Sequence, residues 1–281
     1  MSKVIDPHIH LFDLQQGDYD WLKSENEPHW PDKTVINRDY AESDLSLDEA
    51  VALEGFVHIE AGFDNNAPWR ELAWLEDHCQ LPFRSVAFAD IRSEAFKDQV
   101  AELSQYRSFV GVRYILDDAA ESILNDEIVH RNLSLLAEKG LLFEAQFPLA
   151  DQRAVAVLSR VMGDLPQLKV VLNHTGSPQQ LSESWMNSIM SLAHHPECYI
   201  KCSGWEMFNR DWVSDSIKPL ISFAIRQFGL TRVMLASNFP VSELSCDYAK
   251  LWQRYLKEMK WKGFEKDMLV YENAKRIYQF D

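Results

Sequence analysis

A chain of 281 residues with 43 acidic and 28 basic side chains carries a formal charge of −15. This acidity disfavours nucleic acids and anionic membrane surfaces as partners, because both are polyanions. No apolar run approaches the roughly 18 residues of a membrane-spanning helix, and Asp6, His8 and His10 interrupt the place where a secretory apolar region would sit.

The first predicted strand, residues 4–11, carries His8 and His10. Residues i and i+2 of a strand point the same way, so the two imidazoles share a face. Such a pair can hold a divalent metal or polarise a carbonyl and move a proton. It can equally be the polar end of an edge strand. A long segment from Asp13 to Ser43 follows, with Tyr19, Trp21, Trp30 and Pro31. It reads either as a functional loop or as a surface excursion packed by its own aromatics.

Further strands are predicted at 55–61, 83–91, 109–116, 141–146, 169–174, 198–203 and 232–237, all rich in β-branched and aromatic residues. Helices are predicted at 67–80, 126–139, 151–162, 182–195 and 212–228, with Gly140, Gly163 and Gly229 as stops. Two more, 244–259 and 267–279, form a C-terminal helical extension. Eight alternating units predict an α/β fold, a (β/α)8 TIM barrel spanning residues 1–281 as one domain with a long first β-to-α loop. No Gly-rich phosphate loop follows any strand, which disfavours an open nucleotide-binding sheet. Cys79, Cys198, Cys202 and Cys246 form no Cys-x-x-Cys pair, so reduced thiols and a cytoplasmic setting are expected.

Barrel active sites sit at the C-terminal ends of the strands. The residues expected there are His8 and His10, His58 and Glu60, Asp90 and Arg92, Arg113, Glu144 and Gln146, His174, Lys201 and Ser203 with Trp205 just beyond, and Ser237 and Asn238. Apolar layers fill a barrel interior, so polar residues at all eight ends point to a working mouth. Any one of them can still be a structural ion-pair partner or a satisfied core histidine.

Asp6-Pro7-His8-Ile9-His10, Gly111-Val112-Arg113, Asn173-His174-Thr175-Gly176-Ser177-Pro178, Lys201-Cys202-Ser203-Gly204 and Ser237-Asn238-Phe239-Pro240 resemble, in order and spacing, the amidohydrolase superfamily. The similarity is to its lactonase-like branch of metal-dependent hydrolases, which includes fuconolactonases and pyrone-dicarboxylate lactonases. The resemblance implies lactone hydrolysis at the barrel mouth. It implies that His8, His10 and His174 surround the reacting carbonyl, directly or as ligands of one zinc or manganese ion, since some relatives hold a metal and others none. It implies that Arg113 and Lys201 grip a substrate carboxylate or hydroxyl. The family also carries an aspartate as general base where this chain has Asn238. An amide cannot take a proton from water at neutral pH and is a poor metal ligand. Glu144 or Glu60 is therefore expected to supply the base.

The expected function is hydrolysis of a lactone of a small, anionic sugar acid or dicarboxylic compound. His8, His10, His174, Asn238 and Glu144 are the expected catalytic residues, and Arg113, Lys201, Glu60 and Trp205 the expected substrate contacts. The first loop is expected to close over the substrate. A metal-dependent amidohydrolase or decarboxylase is one alternative, and a catalytically impaired barrel that binds a small molecule is another. Association into a homo-oligomer is compatible with the outer helices.

Overall fold

The computed structural model describes residues 1–281. Eight strands run β1 (Ser2–Ile9), β2 (Val51–Ile59), β3 (Phe83–Phe88), β4 (Phe109–Ile115), β5 (Leu142–Gln146), β6 (Lys169–Leu172), β7 (Cys198–Cys202) and β8 (Val233–Leu235). They pair in parallel in the order β1-β2-β3-β4-β5-β6-β7-β8. Parallel strands covered on both faces need near-continuous apolar runs, and the strands supply them. Inside the barrel, Ile5, Val57, Val86, Leu142, Val171 and Met234 form a compact apolar cluster. The larger cluster lies between strands and helices.

The helices are α1 (Trp69–His78), α2 (Phe96–Leu103), α3 (Ala120–Leu124), α4 (Glu127–Lys139), α5 (Gln152–Asp164), α6 (Glu183–Ala193), α7 (Ser214–Phe228), α8 (Tyr248–Gln253), α9 (Gly263–Asp267) and α10 (Asn273–Ile277). Several begin at side-chain caps. Asp126 accepts from Ile128 N, and Asp151 from Arg153 N and Ala154 N. Gly140 ends α4 in the left-handed conformation, which glycine adopts without a Cβ penalty. Two segments depart from expectation. The helix expected over 244–259 starts only at Tyr248, where Asp247 caps it, and widens into a π turn over Arg254–Glu258. The last helical run starts at Gly263 and passes through a second π turn, Met268–Glu272, into α10. No helix is long and apolar enough to cross a membrane. The four cysteines are unpaired.

The seam between β8 and β1 closes differently from the other seven pairings. Past the end of β8, Asn238 N donates to His8 O (3.0 Å), and His10 N donates to Phe239 O (2.6 Å). Buried Asp6 accepts from Ser237 N and from His8 N, both at 3.1 Å. One carboxylate thus stitches the first strand to the segment after the last, and carries His8, His10 and Asn238 to the same end of the barrel.

Candidate active site

A cavity of about 990 Å³ opens at the C-terminal ends of the strands. Among the residues expected there, His10, Glu60, Arg113, Gln146, His174 and Asn238 line it. His8, Glu144, Lys201 and Trp205 do not. They lie behind the lining, and their partners explain why.

Lys201 and Glu144 are both fully buried and meet at 2.6 Å. Lys201 Nζ also donates to Pro7 O (2.9 Å) and faces His8 Nδ1 (3.3 Å), so three acceptors match its three hydrogens. Glu144 takes two further donors, Asn173 Nδ2 (2.7 Å) and Tyr278 OH (2.6 Å). Neither side chain is exposed to the cavity, and the three hydrogens of Lys201 are all taken. The expected roles of Lys201 as a substrate grip and Glu144 as a base therefore do not match their placement under the site. Trp205, expected at the mouth, is turned into the wall, where its indole donates to Tyr255 OH (2.8 Å). His58 is likewise internal, accepting from Leu11 N and donating to Glu71. Asp90 and Arg92 pair with each other on the surface.

The lining residues show a different arrangement. Arg113 clasps Glu60: Nε and Nη2 reach Oε1 at 2.8 and 2.7 Å, and Nη2 reaches the Glu60 carbonyl at 2.6 Å. Nη1 donates to Gln146 Oε1 (3.3 Å). Glu60 Oε2 has no protein partner. Burial pushes the Glu60 carboxyl above its usual range, and the Arg113 cation opposes the shift. His10 Nδ1 donates to the Ile59 carbonyl (2.8 Å), which leaves Nε2 as an acceptor. His174 Nδ1 meets Ser203 Oγ at 3.1 Å. Burial first, then nearby cations, hold His8, His10 and His174 well below the ordinary histidine value, so all three are neutral at physiological pH. Gly204 lets His174 sit this close to the turn after β7: at φ +76 a Cβ there would lie 2.8 Å from the His174 ring.

As a metal set the three imidazoles do not fit. The Lys201 ammonium faces His8 Nδ1, so that nitrogen accepts and the ring proton falls on Nε2. A protonated Nε2 has no lone pair to offer a cation. That atom is sealed from the cavity and unpartnered. Nowhere in the chain are three His, Cys, Asp or Glu side chains grouped so as to hold a metal ion.

Sequence reasoning missed Glu206. It lies in the 3-10 turn Trp205–Met207 after β7, fully buried, and Asn238 Nδ2 donates to its Oε1 at 2.6 Å. Its only sequence signal is a lone charge among Trp205, Met207 and Phe208. Burial pushes its carboxyl up to about 7, against the Asn238 hydrogen bond. An acid whose folded pKa is raised binds its proton more tightly in the folded state. Its contribution to stability is therefore lost as pH rises from the unfolded value, near 4.5, through about 7. Glu206→Gln is expected to match the parent protein near pH 4.5 and to exceed it by about 3 kcal/mol at pH 8. Urea unfolding at the two pH values checks this; equal differences at both would refute it.

The first loop is an internally braced wall. Lys33 Nζ donates to the carbonyls of Trp21 (2.7 Å), Lys23 (3.0 Å) and Asn26 (2.7 Å). Asp32 holds Arg210 bidentately at 2.7 and 2.9 Å, and the same guanidinium stacks on Trp30. Trp21, Glu27, His29 and Trp30 of this loop line the cavity.

A family model described as Amidohydrolase matches residues 5–280. An uncharacterized protein, y4mH, of Sinorhizobium fredii is 34% identical over 98% of each chain. An L-fucono-1,5-lactonase of Burkholderia ambifaria is 24% identical over 87% of this chain and 83% of its own. Among solved structures, an amidohydrolase from Burkholderia multivorans with bound zinc superposes with a TM-score of 0.80 at 20% identity, covering 100% of both chains. That likeness confirms the barrel.

Proposed function

Because the chain belongs to the amidohydrolase family and is a hydrolase, we propose that it opens the ring of an uncharged, polyhydroxylated lactone, a cyclic ester of a sugar acid. The observation that carries this reading is the mouth itself. A carboxylate with one free oxygen, Glu60, shares one cavity with two neutral imidazoles, His10 and His174, and a guanidinium, Arg113.

The substrate charge follows from the lining. Arg113 is the only lysine or arginine there, and it is already matched by Glu60, whereas Asp18, Asp20, Glu27 and Asp117 also line the cavity. An anionic substrate would meet net negative charge, so the expectation of an acidic substrate is not carried forward. Hydroxyl groups suit this wall, because carboxylates and the amides of Asn65, Asn66 and Gln146 accept and donate hydrogen bonds. Trp21, Trp30 and Tyr114 offer flat apolar faces to the C–H side of a sugar ring.

In the proposed reaction, water adds through its oxygen to the lactone carbonyl carbon. Glu60 Oε2 takes one water proton, and its raised pKa strengthens it as a base. His10 Nε2 accepts the second water hydrogen and orients the attack. His174, with Nδ1 accepting from Ser203, donates through Nε2 to the developing oxyanion, which the Arg113 charge also stabilises. The ring C–O bond then breaks, and its oxygen leaves as a hydroxyl carrying the proton that Glu60 held. No metal is needed in this sequence.

Two measurements test the reading. A panel of neutral aldonolactones, followed by acid release in a pH-indicator assay, is expected to include a substrate, and pyrone dicarboxylates are expected to be poor. No turnover across the neutral panel would sink the proposal. Extended treatment with a chelator is expected to leave the rate unchanged. Loss of activity restored by zinc or manganese would overturn the metal-free account.

A further inference from the structure

We infer that Glu206 is a positioning residue for Asn238: it turns the Asn238 amide so that Oδ1 faces the cavity as a hydrogen-bond acceptor for water or substrate.

Asn238 lines the cavity, while Glu206 lies behind it with no exposure. Asn238 Nδ2 donates to Glu206 Oε1 at 2.6 Å. Above about pH 7 Glu206 is ionised and only accepts hydrogen bonds, so in that state the amide keeps its NH2 towards Glu206. A half-turn of the amide would set Oδ1 against the carboxylate and present NH2 to the cavity. The chemistry of the pair, rather than packing, selects between these two orientations, which have nearly the same shape.

The backbone fixes both members. Asn238 has φ +62, a left-handed conformation that asparagine tolerates better than most side chains. Its N–H is bonded to His8 O across the barrel seam. Glu206 is held in its turn by Arg210, whose guanidinium donates to the Glu206 carbonyl. Asn238 is thus tied to both its neighbours, and only rotation of the amide remains to be set. The carboxyl group thus sits in the turn after β7, behind the lining, and the mouth carries an acceptor without charge.

The inference uses the lactonase reading only for its rate measurement. Glu206→Leu removes the acceptor and frees the amide. It is expected to lower kcat by about 10–100-fold with little change in KM. Glu206→Gln, whose Oε1 can still accept from Asn238, is expected to recover most of that loss. Asn238→Asp sets two carboxylates against each other and is expected to be poorly active alone. The pair Asn238→Asp with Glu206→Gln, in which the glutamine donates to the aspartate, is expected to be more active than Asn238→Asp. A double-mutant cycle reads this coupling. Glu206→Leu as active as the parent, or Asn238→Asp insensitive to residue 206, would overturn the inference. A readout that needs no turnover is the side-chain 15N–1H resonance of Asn238, identified by its loss in Asn238→Ala. It is expected downfield in the parent and in Glu206→Gln, and shifted upfield in Glu206→Leu. If no lactone is hydrolysed by any variant but the resonance moves as stated, the lactonase reading fails and the positioning role stands. An unmoved resonance removes the positioning role whatever the activity.

Discussion

Glu60→Gln is expected to lower kcat on the lactone substrate by about 10²–10⁴-fold, the usual cost of removing a general base. The glutamine keeps an oxygen for Arg113 and nearly the same volume, so the clasp by Nε and Nη2 survives and the fold is unaffected. What is lost is the charged second oxygen facing the cavity. Because burial raises the Glu60 pKa, the parent rate is expected to climb with pH through that raised value and then level off. The histidines add no inflection between pH 6 and 8, since all three lie well below it. Steady-state kinetics across pH 4–9 distinguish this from a histidine base. An inflection that disappears in Glu60→Gln, distinct from any near pH 7 that disappears in Glu206→Gln, supports the assignment, and a Glu60→Gln rate near that of the parent protein removes it.

Lys201→Met is expected to destabilise the protein by about 3–5 kcal/mol, because it strands a buried carboxylate. Glu144 would keep Asn173 and Tyr278 as donors but lose its only counter-charge. Adding Glu144→Leu should return much of the lost stability, since an apolar pair of similar volume often matches a buried ion pair. Denaturant unfolding of the single and double variants checks both steps. The single variant would also free His8 Nδ1 from its donor, so the His8 tautomer, read by 15N chemical shifts, is expected to change as well.

The barrel was legible in the sequence because doubly covered parallel strands cannot disguise their apolar runs. The first β-to-α segment also stood out, by length alone. The helices α2 and α3 were not legible. Phe96–Leu103 has no side-chain cap at Ala95, and Ala120–Leu124 spans five residues, too few for a helical period to show. At the site, Glu60, Arg113, His10, His174 and Asn238 could be found by counting along strands to their ends. Which polar residue faces the cavity and which lies beneath it could not. Glu144 and Lys201 are 57 positions apart, and their pairing exists only once the barrel has curled. Glu206 was hidden for a related reason. Its partner is 32 positions away, and it sits in a short turn where neither the strand nor the helical period gives a signal.

The Lys33 ammonium, caged by three backbone carbonyls of its own loop, has a kinetic consequence. A rim tied together from within does not need to be assembled by its ligand. Substrate arrival is then expected to be a single bimolecular encounter, with an observed rate in stopped-flow binding that grows linearly with concentration instead of reaching a plateau set by a slow rearrangement. The entropy of ordering that loop is spent when the chain folds, and none of it is charged to the ligand on each catalytic cycle.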